Sequence, residues 1–177
     1  MHVGLIRHFP VKKPMPSGWM TAEQLHQWRL DYESSEPIPR QIDTGNFCWK
    51  RCLSSDLKRA VVTAQAAFPG EIIQTPLLRE IEFLKFNTGN ISLPIWIWQW
   101  VFRLAWMTSH QSQRPVRDDF QKRVRAVADM LEAEREEILV VSHAGMMGSL
   151  RKELIKRGFK GPHFQFPDHA LLYVYER

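Results

Sequence analysis

Two apolar runs in this 177-residue chain end on a histidine. Val3-Gly4-Leu5-Ile6 leads into Arg7-His8, and Ile138-Leu139-Val140-Val141-Ser142 leads into His143, followed by Ala144-Gly145. Short apolar runs bounded by turn residues read as buried strands. A neutral imidazole is a good nucleophile near neutral pH, and an arginine fork pairs with two oxygens of one phosphate and keeps its proton. In an open parallel sheet, ligands bind beyond the carboxyl ends of the strands. His8 and His143 therefore share one pocket if their strands are neighbours. Arg59 falls in the first turn or so of a helical pattern, off its apolar stripe. A cation there opposes the helix dipole, so it calls for a solvent face or a bound anion; taken alone, the solvated face is the simpler expectation. Glu80 and Glu82 leave Leu77–Phe83 in the same direction if that segment is extended, and either offers a carboxyl group for proton transfer.

The elements that must position these residues follow from periodicity. Thr21 and Gln24 form a capping-box pattern for a helix ending near Tyr32, and a polar, proline-bearing connection runs from Glu33 to Thr44. Cys52-Leu53-Ser54 reads as a short strand. Ser55-Asp56 then opens a helix with Leu57, Ala60, Val61, Ala64 and Ala67 on one face. Ile72-Ile73-Gln74 is a further short strand. A long amphipathic helix spans Arg117–Arg135, another runs from about Met146 to Arg157 and stops at Gly158, and Ala170–Tyr175 makes a last strand. Strands alternating with helices imply an α/β three-layer sandwich with a mostly parallel central sheet flanked by helices. The length suits a single domain over 1–177.

Two stretches stand apart. Phe9–Trp19 holds Pro10, Pro14 and Pro16 and reads as an ordered, extended loop bordering His8. Ile91–Met107 carries four of the seven tryptophans and only one charge, Arg103. Pro94, Gln99 and Arg103 argue against a membrane span. The stretch reads as a core helix, an aromatic lid over the pocket, a surface resting on a membrane, or a face for a homodimer.

The net charge of +5 comes from dispersed Lys and Arg, without a basic run. This favours a phosphorylated small molecule or phosphopeptide as partner, and no nucleic acid. Cys48 and Cys52 lack a zinc-site spacing, so neither metal nor cofactor is expected. The N-terminal apolar run is too short for a signal peptide, and a cytoplasmic location is expected. His2, His110, His163 and His169 are assigned to surface or capping roles, although His169, beside Asp168 and before the last strand, borders the pocket if any of them does.

Leu5-Ile6-Arg7-His8, Ser54-Ser55-Asp56-Leu57-Lys58-Arg59-Ala60 with Thr63-Ala64, Leu78-Arg79-Glu80 and Val141-Ser142-His143-Ala144-Gly145 occur in the order of the histidine phosphatase superfamily, which the chain resembles over nearly its whole length. The resemblance implies the phosphoglycerate-mutase-like fold and a small phosphatase of the histidine acid phosphatase type. His8 would be the nucleophile forming a phosphohistidine, Arg7, Arg59, His143 and Ala144 would hold the phosphoryl group, and Glu80 would be the proton donor, with Glu82 as its substitute. No metal is implied, because two arginines and His143 neutralise the phosphoryl charge. A phosphoglycerate-mutase-like phosphotransferase, a protein-phosphohistidine phosphatase and a catalytically weak phospholigand- or protein-binding member are the rival readings. The chain departs from the family where Phe9 replaces the usual Gly after Arg-His and prolines replace the polar residues beyond it. Phe9 is expected to narrow the pocket or reshape the loop.

Overall fold

In the computed structural model, which describes all 177 residues, the first half of the chain forms β1 (His2–Arg7), β2 (Trp19–Thr21), α1 (Ala22–Ser34), β3 (Arg51–Ser55), α2 (Lys58–Ala67), β4 (Ile72–Thr75) and β5 (Ser92–Pro94). The second half forms α3 (Ile95–Met107), α4 (Arg114–Ala133), β6 (Ile138–Ser142), α5 (Ala144–Lys156) and β7 (Leu172–Glu176). The backbone gathers these elements into two compact units. One comprises Met1–Pro10, Pro37–Glu80 and Lys122–Arg177, and the other Val11–Glu36 and Ile81–Gln121.

The first unit is an α/β fold around a five-stranded sheet in the order β4-β3-β6-β1-β7. The β4–β3, β3–β6 and β6–β1 pairings are parallel, and β7 closes the edge antiparallel to β1. All five residues of β6 are buried, as expected for a central strand covered on both faces. The register pairs Val3 with Ile138 and Arg7 with Ser142. His8 and His143 therefore leave adjacent parallel strands at the same level, which meets the condition for a shared pocket.

Small residues bring α2 close to the sheet. Ala60, Ala64 and Ala67 pack with Ile6, Cys52, Leu139 and Val141 in one buried cluster. Truncating Leu139 to Ala there would cost about 2–5 kcal/mol. Gly4 serves a similar close approach, because a Cβ on it would lie 2.7 Å from the Trp49 ring and 2.9 Å from both Leu139 and Leu172. Gly158 ends α5 with φ +88°, the left-handed conformation foreseen for a stop signal.

Several boundaries differ from the sequence expectation. α2 begins at Lys58, and Ser55 remains in β3. α4 begins at Arg114, three residues before Arg117, because Pro115 fits a helix's first turn, where its missing N–H has no intrahelical partner. Leu77–Phe83 is not a continuous extended segment: Pro76–Leu78 forms a single 3₁₀ turn, favoured by Pro76 and by the Leu77 N–H donating to the Thr75 hydroxyl.

The second unit holds the antiparallel β2–β5 pair with α1 and α3. The capping box at Thr21 and Gln24 is present, each side chain bonded to the other's backbone N–H. On the inner face of α3, Trp98 is buried and donates Nε1–H to the Met20 carbonyl at 2.7 Å. Phe83, Phe86, Phe102 and Trp106 continue this aromatic cluster. A pocket of about 190 Å³ opens between Leu25, Trp28, Phe83, Phe86, Trp98 and Phe102. The opposite face of α3 presents Trp96, Trp100, Leu104 and Met107 to solvent at helical spacing, with Arg103 stacked on Trp100. The Trp-rich stretch is thus a core helix on one side and an exposed apolar stripe on the other. No helix is long and apolar enough to cross a membrane.

Candidate active site

His8 is the first residue beyond β1, yet its N–H still donates to the Ser142 carbonyl at 2.9 Å, so the ring starts from a backbone pinned to β6. Two contacts define its tautomer. Arg59 Nε donates to His8 Nε2 at 3.3 Å, and a guanidinium has no acceptor, so Nε2 carries the lone pair. The ring proton then sits on Nδ1, 2.6 Å from the Phe9 carbonyl oxygen, which can only accept. Burial, followed by the adjacent Arg59 cation, holds the His8 pKa well below its ordinary value, while the Phe9 carbonyl pulls the other way. His8 is a neutral imidazole near neutral pH, with its nucleophilic lone pair directed at an arginine.

Phe9 belongs to the buried core beside His8. Its side chain is fully buried, and its N–H donates to Thr63 Oγ1 at 2.8 Å. The Thr63 hydroxyl in turn donates to the Arg59 carbonyl at 2.6 Å. Thr63 therefore ties the backbone just after His8 to the helix carrying Arg59. The hydroxyl at i+4 from Arg59 was the only sequence signal for this.

Arg59 itself is 3% exposed. The solvated expectation fails because Arg59 lies on the buried side of α2 with Ala60, Thr63 and Ala64, where its charge is directed at His8. His143 packs its ring 4.9 Å from that of His8. Its Nε2 lies 2.9 Å from Ser55 Oγ, and its buried Nδ1 has no hydrogen-bond partner. Burial, then His8 and Arg59, lower its pKa well below the ordinary value. Ser55 formed part of the quoted motif without a role of its own; its position at the end of β3, next to β6, is what delivers it to His143.

Arg7 reaches the other side, donating Nη1–H to the Pro167 carbonyl at 2.9 Å with its guanidinium 4.5 Å from the Phe166 ring centre. Glu80 lies across the start of α5, where its carboxylate accepts the Gly145 and Met146 N–H groups at 3.0 and 3.1 Å. An anion suits this helix N-terminus. Ala144 opens the same turn, with His143 at the cap position. The Glu80 segment is held by its neighbours: Ser142 Oγ donates to the Leu78 carbonyl at 2.7 Å, Arg123 donates to the Arg79 carbonyl at 2.9 Å, and Arg79 forks onto both Asp56 oxygens at 2.8 and 2.6 Å. Glu82 falls in the second unit.

His169 is the exception allowed for among the histidines assigned to surface or capping roles, and it borders His8. It is not a surface residue but half-buried, with Nδ1 2.6 Å from the His8 carbonyl oxygen and its ring 5.2 Å from the His8 ring. The signal available was its position just before the last strand. Of the remaining histidines, His2 pairs with Glu137 at 2.8 Å and His110 bonds Ser112. Cys48 and Cys52 are free thiols, and burial pushes Cys52 up to about 12.

His8, Arg59, His143 and Ser55 thus form a connected group at the carboxyl end of the sheet, with Arg7 and His169 beside His8 and Glu80 at the start of α5. No curated protein matches the chain significantly. Among solved structures, the fold is similar to alpha-ribazole phosphatase from Shigella flexneri, 23% identical with a TM-score of 0.55, over 98% of this chain and 89% of that one. It is also similar to a phosphoserine phosphatase from Entamoeba histolytica in complex with 3-phosphoglyceric acid, 17% identical with a TM-score of 0.55, over 88% and 80% of the two chains. A mycobacterial glucosyl-3-phosphoglycerate phosphatase in complex with VO3 is 22% identical, with a TM-score of 0.54 over 88% and 82%. The family model of the histidine phosphatase superfamily, branch 1, matches residues 43–176, beginning after Arg7 and His8. The chain belongs to the histidine phosphatase superfamily.

Proposed function

We propose that the protein hydrolyses a phosphate monoester through a phosphohistidine on His8, without a metal ion. The observation carrying this reading is the fixed tautomer of His8, a buried neutral ring whose Nε2 lone pair faces the Arg59 guanidinium at 3.3 Å. Nε2 attacks phosphorus, the bond to the leaving oxygen breaks, and charge on the phosphoryl oxygens is met by Arg7 and Arg59. If the Ser55 hydroxyl donates to His143 Nε2, the His143 ring proton sits on Nδ1, and this buried atom donates to a phosphoryl oxygen. The Ala144 N–H adds one backbone donor at the start of α5, where Gly145 and Met146 already serve Glu80. Glu80 enters this step in its protonated form and gives that proton to the leaving alkoxide, becoming the carboxylate that Gly145 and Met146 hold. It then takes one from the water that attacks the phosphohistidine, releasing inorganic phosphate and restoring His8.

The three neighbouring folds named as phosphatases support hydrolysis of a small phosphorylated molecule. A mutase-like transfer uses the same side chains and differs in the acceptor that replaces water. The test is turnover of p-nitrophenyl phosphate in the presence of a chelator, for the native protein and His8→Ala, with acid-quenched mass spectrometry of the His8 peptide. Chelator-resistant turnover, lost in His8→Ala, with phosphate on His8, is the expected result. A folded native protein with neither turnover nor phosphopeptide would overturn the reading.

A further inference from the structure

Three imidazole rings meet at the end of β1. His143 flanks His8 from the β6 side, and His169 packs its ring edge-on against His8, with centroids 5.2 Å apart and planes at 62°. The segment before β7 is built to hold it there. His169 forms a bridge with Arg7, and the next residue, Ala170, donates its N–H to the Arg7 carbonyl at 2.9 Å while adopting φ +61°. That left-handed conformation is strained for a residue with a Cβ.

The His169 tautomer follows from its one strong contact. Nδ1 lies 2.6 Å from the His8 carbonyl oxygen, and a carbonyl can only accept, so Nδ1 carries a proton. A neutral His169 therefore has a bare Nε2. A phosphoryl oxygen is also an acceptor, so His169 can bond one only by gaining a second proton, on Nε2. The groups around it set when that happens. Burial first, then the charges of Arg7 and Arg40, oppose the imidazolium, whereas the His8 carbonyl and Asp168 favour it; His8 is neutral. A phosphoryl dianion against Arg7 and His8 reverses the balance. The loop after His8 provides no polar side chain for this task before Lys12, since Phe9, Pro10 and Val11 follow.

We propose that His169 is a third histidine of the phosphoryl site, anchored by the carbonyl of the nucleophile itself, and that it takes a proton from solvent onto Nε2 as a dianionic phosphoryl group enters, donating a hydrogen bond to it. This rests on the reading that His8 receives the phosphoryl group. Substrate affinity then falls as pH rises, because the proton that must be taken up becomes scarcer.

Calorimetric titration with tungstate, a tetrahedral dianion near neutral pH, tests this without any turnover. Titrations of native protein and His169→Gln in two buffers of different ionisation enthalpy give the protons taken up per tungstate bound. Gln stays neutral, and its amide can donate to the His8 carbonyl. His169→Gln is expected to take up about one proton fewer and to lose the corresponding part of the pH dependence, up to about tenfold in Kd per pH unit. The His169 Cε1–H resonance of the native protein, followed against pH with and without tungstate, gives a second readout that needs no variant: its midpoint should rise on binding. Equal proton uptake in the two proteins, an unmoved midpoint, or a native protein that does not bind tungstate would each overturn the proposal. Protonation of His169 on tungstate binding, in a protein that never forms phosphohistidine, would overturn the hydrolytic reading alone.

Discussion

Replacing Glu80 by Gln separates proton transfer from positioning. The Glu80 carboxylate accepts two backbone N–H groups at the start of α5, at 3.0 and 3.1 Å. The neutral amide keeps one acceptor oxygen and the same shape, so the loss is one hydrogen bond to a charged group plus the favourable term with the helix dipole. Together these amount to about 2 kcal/mol of stability, which leaves a typical domain folded. The chemical effect is larger and depends on the leaving group. An alkoxide needs a proton as the bond to phosphorus breaks, and losing a general acid costs roughly 10²- to 10⁴-fold, or about 3–5 kcal/mol of barrier. p-Nitrophenolate leaves without a proton, so its phosphorylation step is spared. The assay is kcat/KM for an alkyl phosphate and for p-nitrophenyl phosphate, native against Glu80→Gln, with stopped-flow detection of p-nitrophenol. The expected result is a drop of about 10² or more for the alkyl ester alone, and a p-nitrophenol burst of about one per site because water attack on the phosphohistidine is then slowed. An equal drop for both esters would show that Glu80 acts only by holding the start of α5. No drop for either would remove it from the chemistry.

Three further outcomes follow from the same geometry. His8 and His143 are held neutral below their ordinary pKa, so under acidic conditions the unfolded chain binds more protons than the native one. Stability should be level above about pH 7 and fall below about pH 6.5, by up to about 1.4 kcal/mol per pH unit for each ring; urea unfolding at stepped pH measures it, and a His143→Gln variant should show the shallower slope. Thr63→Val keeps the shape but strands the Phe9 N–H, which should cost about 1–3 kcal/mol and lower kcat/KM, whereas Thr63→Ser should retain most of both. Trp98→Ala should destabilise by about 3–5 kcal/mol, against less than about 0.5 kcal/mol for Trp100→Ala, because Trp98 is 1% exposed and Trp100 62%; equal effects in urea unfolding would reverse the assignment of the two faces of α3.

Local signals carried much of the fold and site. An apolar run that breaks abruptly into Arg-His or Ser-His marks a strand end whatever the partner strand is, so β1 and β6 were readable from their own residues. Their adjacency was not, because strand order depends on which buried faces fit together, and β1 lies far from β6 in the chain. The helix pattern of α2 was readable from Leu57, Ala60, Val61 and Ala64. Amphipathic spacing nevertheless misjudged Arg59, because it assumes that charge faces water, and here the charge is directed at a buried imidazole. For Phe9 two outcomes were open, a narrowed pocket or a reshaped loop; its ring lies in the core, and its carbonyl and N–H are what meet His8 and Thr63.

His169 shows where local reasoning stops. Its position before the last strand marked it only as a residue that could border the pocket, and its placement against His8 follows from β7 running antiparallel to β1. That pairing returns the residues before β7 to the level where β1 ends, so the Ala170 N–H meets the Arg7 carbonyl and the imidazole meets the carbonyl of His8. The edge strand thus does more than complete the sheet: it closes the His8 backbone from the side opposite β6. His8 is consequently held on both sides, through its N–H by Ser142 and through its carbonyl by His169, leaving Nε2 as the ring atom directed toward Arg59. Under the proposed mechanism, an attacking imidazole whose backbone is fixed at both groups has little rotational freedom to lose on reaching the transition state, and such pre-organisation is a large part of what phosphoryl transfer requires.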